Sequence, residues 1–91
     1  MLPVLWHAEA RADLQAILAY IAARNARAAF DLHDAIAHAI NQLPNHPYLY
    51  RPGRVAGTRE LIAHPNYIVV YRVTAVAIEI LSVLHSRQQY P

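Results

Sequence analysis

Two periodicities divide the chain. From Ala8 to about Ala23 the apolar residues Leu14, Ile17, Leu18 and Ile21 fall at i, i+3, i+4 and i+7, which predicts a helix with one apolar stripe. Glu9 lies in its first turn, where the helix dipole favours an acid. Arg24-Asn25 breaks the pattern, and Asn25 is a suitable N-cap for a second helix. That helix is predicted to run to about Leu43, with Leu32, Ile36, Ile40 and Leu43 as its stripe and Phe30 nearby. Alanine fills much of both helices and allows their axes to approach closely, so the pair reads as an αα-hairpin.

The period changes to two after Gly57. Arg59 to Ala63 and Tyr67 to Val73 read as strands joined at His64-Pro65-Asn66, and a third strand, Val76 to Leu84, follows Thr74-Ala75. A two-residue turn between Val73 and Val76 would set Tyr71 opposite Ile78, Val69 opposite Ile80 and Ile68 opposite Leu81. A turn flanked by Ala63 and Tyr67 would set Leu61 against Val69 and Arg59 against Tyr71. One face of this meander then carries Arg59, Leu61, Val69, Tyr71, Ile78 and Ile80. The other carries Glu60, Ile62, Ile68, Val70, Arg72, Glu79, Leu81, Val83 and His85, with Arg72 diagonal to Glu79. A slip of one residue would exchange the faces of a strand. Upstream of the helices, Leu2–Trp6 is short, apolar and β-prone, with Pro3 placing it at an edge or starting it late. Pro44, Pro47 and Pro52 make the segment between helix and meander irregular.

The expected class is α+β, in the order β-α-α-β-β-β, as a single domain over residues 1–91. Apolar residues make up 56% of the chain and glycine is scarce, which excludes disorder. No apolar run reaches the length of a membrane span, and Met1–His7 has no basic signal-peptide start, so a cytoplasmic location without membrane contact is expected. The absence of cysteine excludes disulfides, thiolate metal sites and cysteine nucleophiles.

Charge is uneven. Residues 1–45 hold Arg11, Arg24 and Arg27 against Glu9, Asp13, Asp31 and Asp34, a net of −1. Residues 46–91 hold Arg51, Arg54, Arg59, Arg72 and Arg87 against Glu60 and Glu79, a net of +3. Every cation is arginine, which suits bidentate contact with carboxylate or phosphate, so the second half has the character of a surface for an acidic partner. The same usage also follows from a GC-rich genome.

The six histidines do not read as a metal site. The helical pair His33 and His38 is spaced i, i+5, whereas a helical site needs i+3 or i+4; His46 and His64 fall in loops and His7 at a helix start. Gly53 and Gly57 do not make a phosphate loop, and no cofactor is expected. Glu60 and Glu79 lie on different strands, and Glu79 has Arg72 available, so an ion pair is the expected use of Glu79. After the last strand, His85, Arg87 and Tyr90 allow two readings. They would make a metal-free ribonuclease set of acid or base, phosphate clamp, and proton donor or stacking platform; they would equally make a polar tail that caps the sheet.

An ordered set of motifs then carries a resemblance. Trp6 closing a first strand, Ala-Asp-Leu-x-x-Ile-x-x-Tyr-Ile (Ala12–Ile21), Arg-Pro-Gly (Arg51–Gly53) and Gly-Thr-Arg-Glu-Leu (Gly57–Leu61) come in that order. Asn-Tyr-Ile-Val-Val-Tyr-Arg-Val (Asn66–Val73) and the tail Val-Leu-His-Ser-Arg-Gln-Gln-Tyr-Pro (Val83–Pro91) complete it. Together they resemble the RelE/ParE superfamily of toxins from bacterial type II toxin–antitoxin modules, over essentially the whole chain. The resemblance implies a helical hairpin on one face of a mostly antiparallel sheet. It also implies a cognate antitoxin that wraps the toxin, and operator DNA reached only through that antitoxin.

Two activities occur in such a superfamily. RelE-like members cut mRNA on the ribosome with basic residues and a C-terminal acid/base or aromatic group; ParE-like members poison DNA gyrase. Here the strand position matching a nuclease arginine is Ile68, Glu60 and Glu79 oppose an RNA phosphate, and no lysine is present. Gyrase poisoning is therefore the favoured reading. In the RelE-like alternative His85, Arg87 and Tyr90 would be catalytic, and a chain that only binds antitoxin is the third possibility. Arg51, Arg54, Arg59 and Arg72 are the candidates for contact with target or antitoxin.

Overall fold

The computed structural model describes residues 1–90. Pro91, the last residue of the tail motif, lies outside them. The elements are β1 (Val4–Trp6), α1 (Ala8–Ala22), α2 (Ala26–Asn41), β2 (Arg51–Pro52), β3 (Arg59–His64), β4 (Tyr67–Val73) and β5 (Ile78–His85). This is the expected β-α-α-β-β-β order with one addition, the two-residue β2 inside the proline-rich segment. The five strands form one sheet in the order β1-β5-β4-β3-β2, antiparallel except for β1, which runs parallel to β5. Among the described residues no helix is long and apolar enough to cross a membrane.

Local chemistry explains where the elements begin and turn. Asn25 accepts a hydrogen bond from the Ala28 amide at 3.1 Å and so caps α2. The β2–β3 connection closes through the Gly53 amide on the Thr58 carbonyl at 2.8 Å. Gly57 there takes φ +83°, and a Cβ on Gly53 would collide with the Thr58 side chain. Between β4 and β5, Thr74 organises a four-residue turn. Its hydroxyl accepts from the Val76 and Ala77 amides at 3.3 and 3.0 Å, while its own amide bonds the Ala77 carbonyl at 2.8 Å.

That turn corrects the expected β4–β5 register. The longer connection pairs Val73 with Ile78 and Tyr71 with Ile80, two residues from the expected alignment, so the faces are preserved near the turn. Leu81 is then an extra residue in β5, a β-bulge between the Tyr71–Ile80 and Val70–Ser82 pairs. Beyond it the strand changes faces: Val83 joins the core under the helices, and Leu84 takes the opposite face. The expected placing of Val83 and His85 on the second face is thereby overturned. The β3–β4 register agrees with expectation away from the turn, Arg59 opposite Tyr71 and Leu61 opposite Val69, but the turn is flanked by His64 and Tyr67 instead of Ala63 and Tyr67, because Ala63 is an extra residue between the Ile62–Ile68 and His64–Tyr67 pairs.

The main core lies between the helical hairpin and one sheet face. Leu32, Ile36, Ile40 and Leu43 pack on Leu61, Val69, Tyr71, Ile78, Ile80 and Val83. The α2 stripe is fully buried, whereas Leu14, Ile17, Leu18 and Ile21 of α1 are half-buried and only Ala10 of α1 is sealed off. Tyr71 anchors the irregular segment: its hydroxyl donates to the Pro47 carbonyl at 2.8 Å, and Tyr50 meets its ring edge-on at 6.4 Å. Burial pushes the Tyr71 hydroxyl above its ordinary pKa.

Candidate functional site

The sheet face away from the helices is the larger candidate surface. Its middle is apolar, with Ile68, Val70 and Leu84 buried beneath Leu81 and Tyr90. Tyr90 is held there from outside by Arg54, whose guanidinium lies 4.5 Å from the ring centroid. A groove bounded by Val55, Thr58, Val70, Arg72, Leu84 and Tyr90 runs across this face.

The charges on it are arranged in pairs. Glu60, only 3% exposed, accepts a hydrogen bond on Oε1 from Arg51 Nε (3.0 Å) and is ion-paired there with Arg51 Nη2 (2.8 Å), while Arg54 Nε stands 3.9 Å from Oε2. Strand pairing makes this local, because Arg51 of β2 lies directly opposite Glu60 of β3. Glu79 likewise accepts from Arg72 Nη2 at 3.0 Å, its direct partner across β4 and β5, and contacts His7 Nε2 at 2.7 Å. The expected Arg72–Glu79 pair is present, as a direct neighbour instead of a diagonal one. Arg59, opposite Tyr71 on the other face, donates to the carbonyls of Tyr50 (2.7 Å) and Tyr48 (3.2 Å), with its guanidinium 5.0 Å from the Tyr48 ring centroid.

The hydrogen bond from Arg72, followed by that of His7, holds the Glu79 carboxyl below its ordinary value of 4.5. The unfolded chain therefore binds the extra proton in acid, and stability rises with pH there. This contribution is complete above the unfolded carboxyl's pKa and is lost as pH falls through the lower folded value. The wild-type urea midpoint should thus drop more steeply on acidification below about pH 4.5 than that of Glu79→Gln. Parallel slopes for the two proteins would show that the pair does not contribute.

The tail residues do not converge. His85 meets Tyr67 edge-to-face (ring centroids 5.3 Å, 77°) at the helix side of the sheet, in a groove with Asp13, Ile17, Tyr20 and Val83. Its Nδ1 accepts from the Arg87 amide at 3.1 Å. Tyr90 lies across the sheet, on the Ile68–Val70–Leu84 face, and Arg87 is exposed. The bulge at Leu81 causes this separation, and the set of His85, Arg87 and Tyr90 does not surround one phosphate-sized position. Among the described residues no three of His, Asp and Glu gather as metal ligands.

Sequence reasoning missed two residues here. Glu60 was read only as an exposed repulsive charge, and its neutralisation by Arg51 depends on β2, which has no sequence periodicity. Asp13 enters the sequence reading only as one acid of the first half and as a member of the Ala12–Ile21 motif, yet its Oδ2 accepts a hydrogen bond from the Val83 amide of β5 at 3.0 Å. An acid between the apolar stripe and the alanine face was its one available signal.

A helical hairpin on a five-stranded mixed sheet, with paired arginines on the open face, defines the class as the RelE/ParE toxin fold. The family described as "ParE toxin of type II toxin-antitoxin system, parDE" matches residues 4–90, and the chain belongs to that family. Y4kP, a toxin candidate of Sinorhizobium fredii, is 38% identical over 89 residues, covering 97% of this chain and 92% of its own. The chromosomal ParDE TA system from P. aeruginosa contains a chain that superposes with a TM-score of 0.83 at 25% identity, covering 93% of this chain and 96% of that one. The E. coli DinJ–YafQ complex contains a chain sharing the fold, with a TM-score of 0.67 at 14% identity and 93% of each chain covered.

Proposed function

We propose that this toxin arrests growth by poisoning DNA gyrase and is neutralised by a cognate antitoxin. The observation that carries the gyrase reading is the pairing on the open face. Arg51 and Arg54 are directed to Glu60, and Arg72 to Glu79, so the groove offers an RNA backbone few uncommitted cations. The separation of His85 from Tyr90 supports the same reading, because acid, base and clamp are not assembled around one scissile bond. The antitoxin is supported by family membership and by the toxin–antitoxin assemblies named for the structural relatives. The role of the antitoxin includes bringing the pair to operator DNA.

The test is a paired assay of the purified chain. Gyrase supercoiling should be inhibited and gyrase-dependent DNA cleavage should accumulate, while mRNA in a translating extract stays intact. Ribosome-dependent cuts with normal supercoiling would replace this reading with the endonuclease one. Inactivity in both arms, with antitoxin binding retained, would leave an antitoxin-binding module.

A further inference from the structure

We propose that Asp13 is a positioning residue that locks β5 into its bulged register and so decides which face of the sheet His85 belongs to. β1 covers β5 only from Ile78 to Ile80, so the outer edge of β5 beyond Ile80 has no neighbouring strand. In that stretch the Val83 amide is bonded at 3.0 Å by the Asp13 carboxylate of α1, a contact spanning 70 positions of sequence. An ionised carboxylate is a strong acceptor for a backbone N–H, and a partly buried edge amide without one is costly.

The bulge and this bond depend on each other. With Leu81 bulged out, Val70 pairs with Ser82, Val69 with Val83 and Tyr67 with His85. Val83 then fills the core below α1, and His85 meets Tyr67 edge-to-face. Without the bulge, the alignment next to the Thr74 turn would continue: Val70 opposite Leu81, Val69 opposite Ser82, Ile68 opposite Val83 and Tyr67 opposite Leu84. Every side chain after Leu81 would change faces. His85 would move to the open face, at the end of the strand away from the Thr74 turn, and Ser82 would replace Val83 under the helices. Two alignments of one apolar strand therefore compete, and α1 selects between them through one carboxylate. The inference does not rest on the identity of the toxin's target.

Nuclear magnetic resonance on the full chain reads the register directly. Wild type should show cross-strand contacts from Val69 to Val83 and from Tyr67 to His85, with a slowly exchanging Val83 amide. Asp13→Asn keeps an acceptor oxygen at the same reach and should retain this pattern. Asp13→Ala should show Val69 to Ser82 and Tyr67 to Leu84 contacts. In that register the Val83 amide turns inward to Ile68, and the Ser82 amide takes the open edge and should exchange at least roughly tenfold faster than in wild type, the scale of losing one hydrogen bond. If Asp13→Ala retains both the Tyr67–His85 contact and a slow Val83 amide, the lock does not exist. If that variant does not fold, the wild-type amide still decides: free exchange at Val83 overturns the proposal, and protection retained in Asp13→Asn upholds it.

Discussion

Ile36→Ala destabilises the fold by about 2–5 kcal/mol, and Ile17→Ala by roughly half as much. Both residues stand in apolar stripes of helical period, and sequence alone gives them equal weight. The structure separates them. Ile36 is 1% exposed within the contact of α2 on β3 and β4, so truncation leaves a closed cavity surrounded by packed side chains. Ile17 is half-buried and lines the open groove beside Tyr67 and His85, where water can occupy the space of the lost methyl groups. Urea unfolding of the two variants, with unchanged m-values, measures the difference. Equal losses would mean that the α1 groove is closed in solution.

Much of the architecture was legible because each helix and strand carries its own period. The α2 stripe was read residue by residue, and Asn25 announced its own cap. The β3–β4 alignment was recoverable away from the turn, where Leu61 meets Val69, but the irregularity at Ala63 that sets His64 opposite Tyr67 was not. The β4–β5 alignment was not, since nothing in the order Val73-Thr74-Ala75-Val76-Ala77 fixes the length of the turn. The outcome depends on the Thr74 hydroxyl reaching two amides, and it leaves Val76 76% exposed in a position that hydropathy would have buried. The bulge was hidden for a related reason. Leu81, Val83 and Leu84 are interchangeable by hydrophobicity, and the group that distinguishes them, Asp13, lies on another element.

The candidate site was legible as a list of charges and illegible as an arrangement. Arg72 and Glu79 were identified as a pair because both belong to strands with readable alternation. Arg54, Glu60 and Tyr90 come from a loop, a strand and a tail, and only the folded sheet brings them to one place. The likeness among Arg51, Arg54 and Arg59 in sequence also misleads. Arg59 serves two backbone carbonyls, Arg54 covers a tyrosine, and Arg51 neutralises a buried acid.

Arg51→Ala is accordingly expected to cost about 2–3 kcal/mol of stability, well above the loss typical of a surface arginine. Glu60 is sealed from water except through its partners, and removing Arg51 deprives Oε1 of its hydrogen bond and its closest ion-pair partner. Arg54, 3.9 Å from the other oxygen, compensates only in part. The effect stays below the full cost of breaking a buried pair because the Arg51 side chain is itself 59% exposed and water can enter behind it. Glu60→Leu should cost less, since both arginines then turn to solvent and the vacated site is apolar. The double variant should be more stable than the sum of the single losses by at least about 1 kcal/mol, the coupling expected of residues in one network. Additive losses in urea unfolding would show that the pair contributes nothing. This stability term must be measured before any antitoxin experiment that neutralises Arg51, Arg54 and Arg59 together, because a chain weakened at Glu60 would lose affinity without losing an interfacial charge. Arg87→Gln removes one exposed positive charge while leaving Arg51, Arg54 and their contacts with Glu60 and Tyr90 in place, and a fall in antitoxin affinity at low salt in that variant isolates the electrostatic contribution.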